Sequence, residues 1–195
     1  MNFKQIWLLS IAISITGAPA FSQVASAASG REIPFTIGLG PSSYDVDWSH
    51  GRMYGGTIWI DWRPYLPITL LHGWGLEAEA RDISLDRGSH PTNFRQDTAG
   101  VGPLYVWTRY RSFQPYGKFL VQLGSIDFQA TGHPYYTHDT RTVYAPGGGF
   151  EYRVVGHFWA RADYEYQFWQ SLLGKTPDPQ GFTIGVSYHF ASSPQ

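Results

Sequence analysis

The chain has 195 residues, 15% of them charged, with 14 Lys and Arg set against 15 Asp and Glu for a net charge of −1, and it has no cysteine. That length suits one domain. The near-neutral charge gives no basis for nucleic-acid binding, and the absence of thiols excludes a disulfide framework, a thiolate metal site and a cysteine nucleophile.

Taken from its start, the chain opens with Lys4, an apolar run from Ile6 to Ile15, and two small-residue cleavage sites, Ala18-Pro19-Ala20 and Ala25-Ser26-Ala27. This order predicts a secretory signal peptide over residues 1–27, cut after Ala20 or Ala27. The apolar run is about half of the ~20 residues that a membrane-crossing helix needs, and no later stretch reaches that length either. From residue 34 onward, alternation of apolar and polar residues replaces any helical period. It predicts strands near Phe35–Ser43, Arg52–Arg63, Gly73–Ile83, Gln96–Trp107, Phe113–Ile126, Thr140–Arg153, Phe158–Trp169 and Phe182–Phe190. The last is the clearest: Phe182, Ile184, Val186, Tyr188 and Phe190 share one face, and Thr183, Gly185, Ser187 and His189 share the other. Between strands, short connections (Thr108–Arg111, Val154–Gly156, with a longer one around Pro64–Pro67) alternate with polar, Gly- and Pro-rich ones. The latter, predicted as outer loops, are Asp45–Gly51, Ser84–Asn93, Asp127–Asp139 and Ser171–Gln180.

Aromatic residues make up 17% of the chain, and their placement says which face meets what. At the predicted periplasmic ends of the apolar faces stand Phe35, Trp62, Trp74, Trp107, Phe113, Tyr152, Phe158 and Phe190. Tyr54, Tyr144, Phe168 and Phe182 stand at the opposite ends. Tyr54 and Trp62 are eight residues apart, which at ~3.3 Å per residue and a tilt near ~40° is about 20 Å of height, close to the ~25 Å apolar band of a membrane barrel. A soluble core has no reason to place rings at fixed heights, so the apolar faces are predicted to meet lipid. The other faces carry Asp61, Arg63, Glu77, Glu79, Arg81, Lys118, Glu151, Arg153, Arg161, Asp163 and Glu165. Lipid exposure would cost about 2–4 kcal/mol for each Arg or Lys at mid-depth, and a one-residue slip of the Phe158 strand would expose Arg161, Asp163 and Glu165 together. These residues are predicted to fill the lumen as a structural ion-pair network. The fold class is therefore all-β, an eight-stranded antiparallel up-and-down transmembrane β-barrel over residues 34–190, followed by a short tail at 191–195.

With its eight alternating strands, the terminal run Phe182-Thr-Ile-Gly-Val-Ser-Tyr-His-Phe190, and the hairpin from Gly56–Pro64 to Gly73–Arg81, the chain resembles the OmpA/OmpX-like, opacity-type family of outer-membrane β-barrel domains. The resemblance implies residence in the outer membrane of a Gram-negative cell, surrounded by outer-membrane lipid. It also implies recognition during biogenesis by the barrel-assembly machinery, with Tyr188 and Phe190 as the assembly signal. Ala191 to Gln195 follow Phe190, a departure from a strictly terminal signal. An OmpA-like tether to the wall through a C-terminal peptidoglycan-binding domain is not expected.

Other chemistry is weaker. Glu77, Glu79, Asp163 and Glu165 can be read as acid/base groups, yet buried charges in a barrel must be paired, and the structural role is favoured. His133 and His138 flank Tyr135 and Tyr136 without a further ligand pattern. No His-x-Ser element of the lipid A deacylase kind occurs, and Ser49-His50 and Ser89-His90 are neighbours that point apart on extended chain. Gly147-Gly-Gly149 has no following Lys to make a phosphate loop; glycines in a strand more often mark a bend or close packing. An interior only wide enough for side chains disfavours a wide pore. The expected function is non-catalytic: a structural or surface-interaction barrel that acts through four outer loops, with no cofactor or metal and no particular surface ligand implied. The alternatives are a narrow ion or solute channel gated by Lys118, Arg161, Asp163 and Glu165 and, less favoured, a lipid A-modifying enzyme.

Overall fold

Alternating sequences bury one face only if something covers it, and a single sheet solves this by curling until its edges meet. The computed structural model shows that solution. It describes residues 34–46, 52–64, 72–85, 93–129, 136–170 and 178–190. The segments are β1 (Phe35–Asp45), β2 (Arg52–Trp62), β3 (Trp74–Leu85), β4 (Asn93–Val106), β5 (Phe113–Gln129), β6 (Tyr136–Val155), β7 (Phe158–Tyr166), β8 (Phe168–Trp169) and β9 (Gln180–His189). β7 and β8 are one strand interrupted at Gln167, so nine segments make eight strands. Each pairs antiparallel with its neighbours in the chain, and β1 pairs with β9, which closes the barrel. The row of partners that leaves β3 at Gly75 passes through Leu104, Lys118, Gly147, Glu165, Gly181 and Tyr44. It returns to β2 at Met53, far along the strand from Trp62, the partner of Leu76. That stagger is the geometric requirement for tilted strands to close.

The two faces follow the predicted parity. Leu39 is 66% exposed, Leu123 64% and Ile184 58%, although each lies mid-strand. All twelve aromatic residues assigned to the two belts are exposed, from Phe35 at one end to Phe182 at the other. Inward positions alternate with them as buried residues, among them Thr36, Asp61, Glu77, Lys118, Arg161 and Ser187.

One expectation needs correction. The segment Asp127–Asp139, read as a loop, is strand at both its ends: β5 continues to Gln129 and β6 begins at Tyr136, with Asp127 opposite His138 and Gln129 opposite Tyr136. Backbone pairing continues above the membrane, where neither face meets hydrocarbon and the apolar alternation that signals a strand has no cause to persist. At the other end, β6 turns into β7 through Gly156 and His157, with Gly156 at φ +54°, a conformation that glycine adopts without strain. The signal-peptide segment, the tail at 191–195, His133, Ser49-His50 and Ser89-His90 lie outside the described residues.

Candidate functional site

The charged lumen is built by parity and register. Asp61 on β2 lies opposite Glu77 on β3, and Glu79 and Arg81 follow two and four residues on. Across the barrel, Glu151 on β6 lies opposite Arg161 on β7, while Asp163 and Glu165 lie opposite Gly149 and Gly147. Lys118 on β5 is also paired with Gly147, and a Cβ there would come within 3.0 Å of Lys118 Cε. Gly147 thus leaves space for the lysine to meet the two carboxylates in the lumen.

At the centre, the Lys118 ammonium lies 2.9 Å from Glu77, 2.5 Å from Glu79, 3.1 Å from Asp163 and 3.4 Å from Glu165. Glu79, Asp163 and Glu165 form a triad whose geometry could hold a metal ion, but the ammonium is paired with all three. Arg81 bridges Glu79 and Glu165, the latter at 2.8 Å, and its Nε donates to Thr57 at 3.0 Å. Arg161 donates to Glu77 at 2.6 Å and to the Tyr116 hydroxyl at 2.7 Å. That hydroxyl in turn donates to Asp163 at 2.5 Å. The Arg161 guanidinium also lies over the Trp59 ring at 4.7 Å and the Tyr116 ring at 4.4 Å, which satisfies its faces as well as its donors. Toward the periplasmic end, Arg63 bridges Asp61 at 2.8 Å and Glu151 at 2.7 Å.

Ten of the eleven charged residues assigned to the lumen are thereby brought together, and Arg153 is not. Its Nε donates to Gly156 O at 2.9 Å in an exposed position, so it fastens the β6–β7 turn. The register shifts between Arg153 and Val155, and an irregular strand end releases the side chain from the lumen face. Without Arg153, six carboxylates (Asp61, Glu77, Glu79, Glu151, Asp163, Glu165) share four permanent cations (Arg63, Arg81, Lys118, Arg161). The near balance expected from the sequence becomes a negative surplus.

The lumen also contains large apolar and aromatic groups that the sequence reading did not assign to it. Tyr44, Val46, Met53, Ile83 and Leu85 form one buried cluster toward the outer end, and Ile126, Val143 and Trp169 form another. Between them and the charges lie Gln96, Gln122 and Gln167, with Gln96 Nε2 donating to Gln167 at 3.0 Å. At the periplasmic end Trp159 stacks on His189, ring centroids 4.6 Å apart. Other inward rings lie on glycines: a Cβ on Gly38 would come within 2.3 Å of Trp59, and one on Gly124 within 2.3 Å of Trp169. The signal available in the sequence was a ring of inward parity, such as Trp159 or Trp169, in a barrel whose neighbouring strands carry inward glycines.

Tyr188 and Phe190, the residues assigned to the assembly signal, close the barrel. Tyr188 packs edge-on against Phe158 and Phe190, and Phe190 N donates to Phe35 O at 3.0 Å.

Comparison with known proteins places this geometry. The neisserial surface protein A structure superimposes with a TM-score of 0.65 at 14% identity, covering 80% of this chain and 97% of that one. Ail, the attachment invasion locus protein of Yersinia pestis, gives 0.57 at 16% identity, covering 79% and 96%. A major outer membrane protein of Thermus thermophilus gives 0.51 at 10%, covering 79% and 98%. At such identities the likeness is one of fold. No protein of curated function matches the sequence. The outer membrane protein β-barrel domain family matches residues 8–190, nearly the whole chain. The chain is a member of that family and resides in the outer membrane.

Proposed function

We propose that this outer-membrane barrel is a non-catalytic, non-conducting scaffold whose structural or surface-interaction role is exerted through its outer connections. The observation that carries the proposal is the filled lumen. Ion pairs span it from Arg63 to Arg81, and the buried Tyr44 and Trp169 clusters lie above them. An ion crossing the barrel would have to displace salt bridges in which every member but Glu151 is paired with at least two permanent charges, and breaking a buried pair costs about 3–5 kcal/mol. The same burial separates Glu77, Glu79, Asp163 and Glu165 from any substrate. Recognition then falls to connections raised on a rigid frame, foremost the tall β5–β6 hairpin.

The test has three arms. The purified protein in planar bilayers is expected to stay silent at all voltages, and steady unitary conductance would replace the scaffold with a channel. Lipid A from cells with and without the protein is expected to give the same mass spectrum; a shifted mass would make it an enzyme. Replacing residues 130–135 by a short turn should leave heat-modifiable migration on a gel unchanged, since a display loop is dispensable for the fold.

A further inference from the structure

The charges outside the lumen are sorted by height. Among the described residues, the carboxylates Asp45, Asp82, Asp97, Asp127, Asp139 and Asp178 all lie toward the outer end. Arginines at that end have them as partners: Arg95 holds Asp82 at 3.0 Å and Arg141 holds Asp139 at 3.0 Å. The periplasmic end is different. Its connections contain no Asp or Glu between Arg63 and Gly75, between Trp107 and Gly117, or between Tyr152 and Phe158. Arg109 and Arg111 stand exposed in the β4–β5 turn, and no described carboxylate pairs with either. Arg153 is held beside them. Its backbone N donates to Ser112 O at 2.9 Å, which ties the β6–β7 turn to the β4–β5 turn, and its Nε caps Gly156 O. One arc of the rim thus carries three arginines and, among the described residues, no exposed carboxylate. Trp107 and Phe113 of the inner belt bracket this arc at 57% and 41% exposure, and Tyr110 between them is 57% exposed. Arg109 and Arg111 each lie two residues past a belt ring, at most about 7 Å along extended chain. The head-group layer on each side of a bilayer is about 5–8 Å deep, so both fall within it.

We propose that this arc binds the anionic phosphoglycerol heads of lipids in the inner leaflet of the outer membrane. A guanidinium takes a phosphate through two parallel hydrogen bonds, and basic residues close to an anionic surface are drawn to it. A phosphoethanolamine head brings the same phosphate, but its ammonium meets an arc that carries only cations. The Tyr110 ring, apolar in body and polar at its tip, suits the boundary between heads and chains. A cell-wall polymer would also offer anions. The short turn between Trp107 and Phe113, however, does not project past the head groups, and lipid is what lies there. Neither the closed lumen nor the outer connections take part in this contact, so its failure would leave the scaffold role untouched.

The test is native mass spectrometry of the delipidated barrel in detergent, offered phosphatidylglycerol or phosphatidylethanolamine with identical chains. Phosphatidylglycerol should be retained at least about tenfold better. Arg109→Gln with Arg111→Gln should bring the two lipids to within about twofold of each other. Arg52→Gln with Arg141→Gln removes the same charge at the outer end and should leave the preference as it was. Heat-modifiable migration checks that each variant folds, and the single Arg109→Gln and Arg111→Gln variants serve if the double one does not. Equal retention of the two lipids by the unaltered barrel would overturn the proposal. So would a preference that survives loss of Arg109 and Arg111, or one that the outer-end variant removes equally. Purified peptidoglycan sacculi should sediment without the barrel; co-sedimentation that Arg109→Gln with Arg111→Gln abolishes would overturn the proposal in favour of the wall.

Discussion

Replacing Lys118 with methionine keeps most of the stem and removes the ammonium that lies within 3.4 Å of four buried carboxylates. Of these, Glu77 keeps Arg161, and Glu79 and Glu165 keep Arg81. Asp163 keeps the Tyr116 hydroxyl and a 3.5 Å contact to Arg161. The variant therefore leaves no carboxylate bare, but it raises the lumen's surplus of negative charge. Removing one member of a buried pair costs about 3–5 kcal/mol; because the remaining partners persist, the lower end, about 3 kcal/mol, is expected. At 1.4 kcal/mol per decade that is about a hundredfold in the folding equilibrium. The assay is equilibrium urea unfolding in lipid vesicles, followed by tryptophan fluorescence and gel mobility. Adding Glu79→Gln to Lys118→Met removes one of the surplus negative charges and should recover a substantial part of the loss. A Lys118→Met variant within about 1 kcal/mol of the wild type, no different from an exposed ion-pair change, would refute the view that the lumen charges depend on one another.

Other perturbations separate the faces and the layers. Ile184→Arg places a cation on the lipid side and should lower stability in vesicles by about 2–4 kcal/mol, whereas Arg153→Ala, at an exposed turn, should stay within about 0.5 kcal/mol. If Arg153→Ala matched the loss for Arg161→Ala in the same titration, the assignment of Arg153 to the turn would be wrong. Gly38→Ala drives a methyl into the Trp59 ring and should cost about 1–3 kcal/mol, with a change in tryptophan emission. An unchanged unfolding midpoint would mean the ring moves freely.

The wall of this barrel was legible because hydrocarbon imposes a rule on every second residue. Leu39, Leu123 and Ile184 could be assigned outward and Asp61, Lys118 and Arg161 inward from parity alone, and the rings from Phe35 to Phe190 set the height. The rule lapses where hydrocarbon ends. Above the outer belt, Asp127 and His138 pair through backbone bonds that leave no mark on side-chain type, so a strand read as a loop. Parity also states that a side chain enters the lumen without saying what it meets there. Trp59 could be placed inside, but its position beneath Arg161 and over Gly38 and Gly185 depends on the stagger between strands that are distant in the chain. Arg153 failed for a local reason: it sits where the β6–β7 ladder slips.

The seam between β1 and β9 has a temporal meaning. Thr36 meets His189, and Asp45 meets Gln180, so the first strand described finds its second partner only when the last one arrives. Until then two rows of backbone N–H and C=O groups have no counterpart, and each would cost several kcal/mol in an apolar medium. The polypeptide must therefore be held clear of the bilayer interior until it is nearly all delivered. A version cut short before Gln180 would be rejected by the membrane itself, without any protease having to recognise it.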